Sequence, residues 1–275
     1  MSHALPDGAL KYYESGLEAQ RLSTGKGRLE KIRTQELLTR YLPPPPAIVM
    51  DVGGGPGAYA CWLAARGYEV HLVDPVRLHV EQALRASSDQ AAHPLASASV
   101  GDARHLDRAD ASADAALLLG PLYHLTERQD RVAALAEARR VVRRGGLVIA
   151  VGISRFASLL DGLVQGFLDD PEFAQIVQSD LRNGQHRNPT GHPAYFTAAF
   201  FHLPEELEAE MEEAGLRHEE TLAVEGPGWL LQNFEECWAD PARRARLLEA
   251  ARATEGEASV LGFSAHLMAV ARNTA

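Results

Sequence analysis

From Pro43 onward, apolar runs and amphipathic stretches alternate along the chain. The helix-breaking run Pro43-Pro44-Pro45-Pro46 leads into Ala47-Ile48-Val49-Met50-Asp51-Val52. A short continuous apolar segment of this kind fills a strand covered on both faces. Ala58 to Arg66 then reads as a helix with Gly67 at its C-terminal cap. A strand from Glu69 to Val73 ends at Asp74, a helix covers about Val76 to Ala86, and strands follow at Ala98 to Val100 and Asp114 to Leu119. Thr126 and Gln129 predict a capping box for a helix through Val142, with Leu135 and Val142 inward and Gly145-Gly146 ending it. Leu147 to Ile153 is the next strand. This βαβα repetition predicts an α/β fold with a Rossmann-like parallel sheet and helices on both faces.

Two stretches depart from the alternation. Residues 12 to 42 carry a helical stripe of Leu29, Ile32, Leu37, Leu38 and Tyr41, interrupted near Gly25-Lys26-Gly27. This predicts an N-terminal helical lid over 1–42, ahead of a main domain over 43–275. Between Ser154 and His202 regularity fails and Gly, Pro, His, Asn and aromatic residues mix, so 154–202 reads as a cap inserted after the fifth strand. The pattern resumes with a helix from Pro204 to Ala214, a strand around Leu216 to Val224, a helical piece from Phe234 to Thr254 and a last strand from Ala265 to Ala271.

The 275 residues are 46% hydrophobic, enough for a full core. A net charge of -10, from 37 acidic and 27 basic residues, opposes binding to nucleic-acid backbones and anionic membranes and suits a small neutral or basic substrate. The crowded Arg139, Arg140, Arg143 and Arg144 fit the solvated C-terminal end of a helix. Cys61 and Cys237 stand in unrelated contexts, which disfavours disulfides and zinc knuckles. With no leader-like N-terminus and no apolar run approaching the ~20 residues of a membrane span, the expected address is the cytoplasm. A homo-oligomer stays open.

The chemistry starts at Asp51-Val52-Gly53-Gly54-Gly55-Pro56-Gly57. A strand that ends in an acid and turns through Gly53, Gly55 and Gly57 brings bare backbone amides beside a ligand at a helix N-terminus. The same loop satisfies a loose dinucleotide fingerprint with Asp74 as the ribose-binding acid, so a nicotinamide-dependent oxidoreductase is one reading. Alternate glycines behind Asp51 suit an amino-acid carboxylate and ammonium better than a pyrophosphate. Gly101-Asp102-Ala103 places another acid where an adenine amino group could donate. Asp51, Asp74, Asp102 and Gly120 all fall at carboxyl ends of strands, where open sheets bind ligands.

Together, Asp51 to Gly57, Val73-Asp74, Gly101-Asp102-Ala103, Asp114 to Leu125 and Arg144 to Val151 resemble the ordered motifs of class I S-adenosylmethionine-dependent methyltransferases. The nearest group is that of ubiquinone/menaquinone biosynthesis and type 11. The resemblance covers about 42 to 153 and, more weakly, the final strands. It implies a seven-stranded sheet with the last strand antiparallel, S-adenosylmethionine as cofactor and S-adenosylhomocysteine as product. It further implies that Asp51 and the loop glycines lie by the methionine part, Asp74 with the adjoining Pro75 by the ribose, Asp102 and Ala103 by the adenine, and Gly120 by the methyl group. Gly54 and Pro56 depart from the usual filling and stiffen the loop. In methyltransferases with such extensions the N-terminal segment folds over the cofactor, and Tyr12, Tyr13 or Arg21 there could bond the methionine carboxylate. Arg28 and Arg33 are equally eligible.

Methyl transfer is an in-line displacement that proximity can catalyse, with a base needed only for some acceptors. His124 and Tyr123, on the loop after the fourth strand, are the catalytic candidates, His124 because a histidine titrates near neutrality. The competing reading is a structural histidine and a packed tyrosine. For the substrate, the insertion offers His186, Asn188, Tyr195, Phe196 and His202, and Trp229 adds a further wall. The spacing of His186, His192 and His202 matches no compact ligand motif, so no metal is expected. The sequence thus predicts methyl transfer to an O, N or C atom of a small molecule. The oxidoreductase and a non-catalytic S-adenosylmethionine-binding protein are the alternatives.

Overall fold

The computed structural model describes residue 13 and residues 18–275. The remainder of the expected lid, Tyr12 included, lies outside the described residues. Helices α1 (Glu18–Arg21) and α2 (Gly27–Tyr41) precede the alternating β1 (Ile48–Val52), α3 (Ala58–Ala64), β2 (Glu69–Asp74), α4 (Arg77–Asp89), β3 (Ser97–Val100) and β4 (Ala113–Leu118). Then come α5 (Pro121–His124), α6 (Arg128–Val141), β5 (Val142–Ser154), α7 (Ala157–Gln165), α8 (Pro171–Asn183), β6 (Gln185–His186) and β7 (Ala199–His202). The chain finishes with α9 (Pro204–Glu213), β8 (Arg217–Ala223), α10 (Phe234–Ala239), α11 (Pro241–Thr254) and β9 (His266–Arg272).

Seven strands make the main sheet in the order β3-β2-β1-β4-β5-β9-β8, parallel except for β9, which runs antiparallel to both β5 and β8. The two-residue period of a strand splits each apolar run between two cores. Val49, Leu72, Leu117 and Ile149 pack with Leu37, Leu38, Leu63 and Val80 of the helices on one face. Met50, Val52, Ala116 and Val148 pack with Leu135, Ala138, Leu207 and Met211 on the other. Continuous apolar runs are what two covered faces require. Helix α2 is built into the first of these cores through Leu37 and Leu38, while its Glu30 and Thr34 face the strand ends.

Two local expectations are corrected. The helix after β4 starts at Arg128 behind Glu127, and no side chain caps it. In place of the Thr126 and Gln129 box, the Arg131 guanidinium donates to the Leu125 and Thr126 carbonyls, each at 2.9 Å. The helical piece from Phe234 to Thr254 breaks at Asp240-Pro241, where Asp240 accepts from the Ala242 and Arg243 amides and starts α11.

The insertion is regular rather than irregular. Asp170 caps α8 by accepting from the Glu172 amide at 2.9 Å, and Gly184 closes it at φ 73°. β7 extends the edge of β5 beyond the end of β4, pairing Ile153 with Phe201 and Ser154 with His202, and β6 adds to it antiparallel. Strands of two and four residues are too short for a period to show. A buried joint fixes this layer to the core. Glu210 accepts from Arg131 at 2.7 Å and faces His202 Nε2 at 3.3 Å, while the Arg131 guanidinium lies 3.6 Å from the centre of the Phe200 ring. No helix among the described residues is long and apolar enough to cross a membrane.

Candidate functional site

The carboxyl ends of β1, β2 and β4, closed over by Tyr13 and Arg21, enclose a cavity of about 300 Å³. Of the sequence candidates for a cofactor, Tyr13, Arg21, Asp51, Gly53, Gly55, Asp74, Pro75, Asp102, Ala103 and Gly120 all line it. Gly57 does not. It is the left-handed N-cap of α3, at φ 86°, and an added Cβ would meet the Ala83 Cβ at 3.0 Å, so its work is packing against α4.

The loop's tightest position is Gly54, read from sequence as mere filling. A Cβ there would fall 2.6 Å from Asp51 Oδ2 and 2.8 Å from Leu72 Cδ1. Gly55, at φ 56°, meets nothing within 4 Å, and its amide donates to Asp74 Oδ2 at 2.8 Å. The other oxygen of Asp74 accepts from the Val76 amide at 2.8 Å and faces His79 Nδ1 at 3.1 Å. The second acid is thereby fixed in position by the loop and by the start of α4.

Asp51 is treated differently. It is 1% exposed, and its Oδ2 has no hydrogen-bond partner among the described residues. Burial, reinforced by the charge of Asp74, pushes its carboxyl up to about 7. His79, 3% exposed, likewise leaves Nε2 without a partner. Asp51 Oδ2 and His79 Nε2 are thus buried polar atoms of the cavity wall that no described residue satisfies. Asp102 is more committed, taking the Arg104 side chain at 2.6 Å, with Arg104 also paired to Asp130.

The catalytic candidates lie after β4, in α5, and His124 has the surroundings of the structural histidine that was the competing reading. His124 is 6% exposed, and burial pulls its imidazole down to about 4 rather than leaving it near neutrality. It is neutral at pH 7, and Nε2 is engaged by the Tyr13 hydroxyl at 2.5 Å. His124 clasps the lid. Tyr123 lines this cavity and a second one of about 310 Å³ beside it.

The second cavity lies between the insertion and the strand ends. Of the residues proposed from sequence for the substrate, Tyr195, Phe196 and Trp229 line it, joined by Phe173 and Phe201. His186, Asn188 and His202 do not. His186, stacked on Phe201, uses Nδ1 on Asp180 at 2.9 Å and Nε2 on the Tyr195 carbonyl at 2.8 Å. Asn188 donates to the His192 and Phe196 carbonyls at 2.9 and 2.8 Å. Both hold the turn in which Phe196 adopts φ 63°, a left-handed conformation that a bulky residue resists. His202 belongs to the joint with Glu210.

A charged network, missed in the sequence, joins the two cavities. Arg21 donates to Glu18 at 2.7 Å and grips Glu30 with both guanidinium arms, so its fork is taken before any ligand arrives. Burial works against this guanidinium's charge, but Glu30 and Glu18 outweigh it and hold the group well above its ordinary value. His266, at the first residue of β9, donates from Nδ1 to Glu225 at 2.6 Å. Burial disfavours its charge, yet Glu225 and Glu30 raise it to about 9. Glu30, Glu225 and His266 offer ligand atoms within 4.8 Å of one another, the one such group among the described residues. Arg21 on Glu30 and Glu225 on His266 tie the group into a salt-bridge network. Arg28 and Arg33, the other lid candidates, pair with Glu235 and with Glu36 and Glu255, outside both cavities.

Residues 50–150 match the family model described as a methyltransferase domain. No curated protein matches the chain. Among solved structures, a protein of Pyrococcus horikoshii has a TM-score of 0.62 at 16% identity, over 95% of this chain and 98% of its own. A S-adenosylmethionine-dependent methyltransferase of Thermotoga maritima, described as a possible histamine N-methyltransferase, has 0.59 at 17%, over 96% and 98%. The geranyl diphosphate C-methyltransferase of Streptomyces coelicolor, solved with Mg2+, geranyl diphosphate and S-adenosyl-L-homocysteine, has 0.55 at 12%, over 88% and 79%. The oxidoreductase alternative calls for a parallel order ending β4-β5-β6; here an antiparallel β9 separates β5 from β8. Residues 50–150 are a methyltransferase domain, and the chain around them has the fold of the class I S-adenosylmethionine-dependent methyltransferases.

Proposed function

We propose that the chain moves a methyl group from S-adenosylmethionine, held in the first cavity, to an O, N or C atom of a small molecule held in the second. The observation that carries this is the unpartnered Oδ2 of Asp51 in the wall of the first cavity. A buried carboxylate without a donor suits the ammonium of an amino acid. Asp74, fixed by the Gly55 and Val76 amides, keeps lone pairs for the ribose hydroxyls. Asp102 and Ala103 face the adenine, with Pro75 beside the ribose, while Gly53, Gly55 and Gly120 border the amino-acid part and the methyl. Tyr13, clasped by His124, closes the site, and Arg21 offers the methionine carboxylate only those N–H groups that Glu18 and Glu30 leave.

Bound there, the cofactor supplies an electrophilic methyl on a sulfonium and departs as S-adenosylhomocysteine. The protein's share is placement. Tyr123 walls both cavities and so lies where donor and acceptor meet. Aligning the acceptor with the methyl and excluding water through the lid supply much of the acceleration such a displacement needs. His124, at about 4, is too weak a base to hold a proton near neutrality.

Titration calorimetry with S-adenosylhomocysteine tests the reading. Asp74→Asn is expected to weaken binding about tenfold to a hundredfold, the effect of losing charge-assisted hydrogen bonds. Unchanged affinity overturns the ribose role. Binding of NAD in place of S-adenosylhomocysteine overturns the proposal as a whole. A non-catalytic binder would take up the cofactor yet release no S-adenosylhomocysteine with any small acceptor.

A further inference from the structure

The neighbours do not decide the acceptor, because one fold serves unlike substrates. The second cavity of this chain must be read on its own side chains. Its body is apolar and aromatic, walled by Ile153, Phe173, Tyr195, Phe196, Phe201 and Trp229. Its charges are unequal. Both cations in the wall are already neutralised, Arg21 by Glu18 and Glu30, and His266 by Glu225. Lys26, whose Nζ lies 5.7 Å from the centre of the Trp229 ring, is not part of the wall. Asp161 is. It projects from α7 into the cavity with no hydrogen bond or ion pair to any described residue.

An anionic acceptor entering this space would find no unclaimed cation among the described residues of the wall, and would meet the carboxylates of Asp161 and Glu18. A neutral apolar molecule would leave Asp161 facing it unused. A cation finds both a free carboxylate and ring faces, which attract positive charge through their quadrupoles. We infer that the acceptor is a small amine, positively charged at neutral pH and carrying an apolar or aromatic body, with Asp161 as the residue that selects its charge. This rests on the second cavity being the acceptor site of the proposed methyl transfer.

The test uses three probes of one shape, benzylamine, benzyl alcohol and benzoate, titrated calorimetrically into the full chain with and without S-adenosylhomocysteine. Benzylamine is expected to bind at least about tenfold more tightly than benzyl alcohol, the range of one charge-assisted contact, and benzoate not at all. Asp161→Asn should erase that preference and leave S-adenosylhomocysteine affinity as it was, while Asp161→Glu should retain it. A melting curve for each variant shows that the fold is kept. The inference is overturned if benzylamine does not bind, if the alcohol or benzoate binds as well, or if Asp161→Asn keeps the discrimination. Amine selectivity without S-adenosylhomocysteine binding would instead sink the cofactor reading and leave the cavity an amine site that Asp161 selects, with no role as methyl acceptor.

Discussion

The two cavities share a wall but are made in opposite ways. The first is laid down by backbone, through strand ends, glycine turns and amides, and most of its lining comes from residues 51 to 125. The second is laid down by side chains drawn from the lid, α7, the turn at Tyr195-Phe196, Trp229 and the start of β9. A backbone site tolerates little change because its shape is its function. A side-chain site can be recut for a new substrate without touching the sheet. One family can therefore keep a donor and change acceptors.

If that contrast holds, the largest effect in the molecule belongs to Gly54. Gly54→Ala forces a Cβ to 2.6 Å from Asp51 Oδ2 and 2.8 Å from Leu72 Cδ1, contacts that displace the Asp51 carboxyl and the Leu72 side chain from their places. S-adenosylhomocysteine affinity is expected to fall by more than about a hundredfold, as overpacking costs of 1–3 kcal/mol add to the loss of the Asp51 contact. Gly55→Ala supplies the comparison. Its Cβ meets nothing, so only the left-handed strain, about 1 kcal/mol, remains. Calorimetry that ranks Gly55 above Gly54 would refute the view of the loop as a fitted shell around Asp51.

A smaller effect, but one with a sign, attaches to Asp51 itself. Its carboxyl is raised in the folded chain to about 7 from 3.8, so its contribution to stability is complete below about 4 and is lost as pH rises through 7. Asp51→Asn should therefore raise the melting temperature at pH 8, by a few degrees for a gain on the order of 2 kcal/mol, and do nothing at pH 4. The same substitution should weaken S-adenosylhomocysteine about tenfold. In the wild type an arriving ammonium lowers the carboxyl again. Binding at pH 7 then releases protons, which calorimetry in two buffers of different ionisation enthalpy detects, and affinity climbs with pH until about 8. Proton uptake, or none, would exclude Asp51 as the ammonium's partner.

Legibility followed the same division. The alternation from Val49 to Val151, the acids at strand ends and the glycine turns were readable because each is a local pattern imposed by one strand or one turn. Even there Gly54 was taken for filling, since its constraint comes from Leu72 on a different strand. In the insertion, His186 and His202 looked like ligand groups because histidine chemistry is visible in a sequence and its partners are not. Asp180, the Tyr195 carbonyl and Glu210, which claim them, follow only from packing. The reverse error hid His266, Glu225, Glu30 and Asp161. The first three converge from three distant segments, and Asp161 matters only because no described residue bonds or pairs with it. His79 was the one missed residue with a local signal, five positions after Asp74 at the head of a helix.

The smallest expected effect falls on the residue most easily mistaken for a substrate contact. Asn188 makes four hydrogen bonds: Nδ2 donates to the His192 and Phe196 carbonyls, and Oδ1 accepts from the Thr190 amide and hydroxyl. Together these keep Phe196 at φ 63° with its ring in the wall of the second cavity. Asn188→Ala releases that strain instead of removing a binding group. The turn should relax, benzylamine affinity should fall by about threefold to tenfold, and S-adenosylhomocysteine affinity should stay put. The melting temperature should drop by no more than a few degrees, because the lost bonds and the relieved strain oppose each other. A direct contact would behave differently, with probe binding lost and no rescue by restoring the turn. Gly at position 196, which accepts a left-handed φ freely, distinguishes the two in the double variant Asn188→Ala, Phe196→Gly. If Asn188 acts through Phe196, the second substitution makes the first silent, and independent losses from both would move Asn188 back to the substrate.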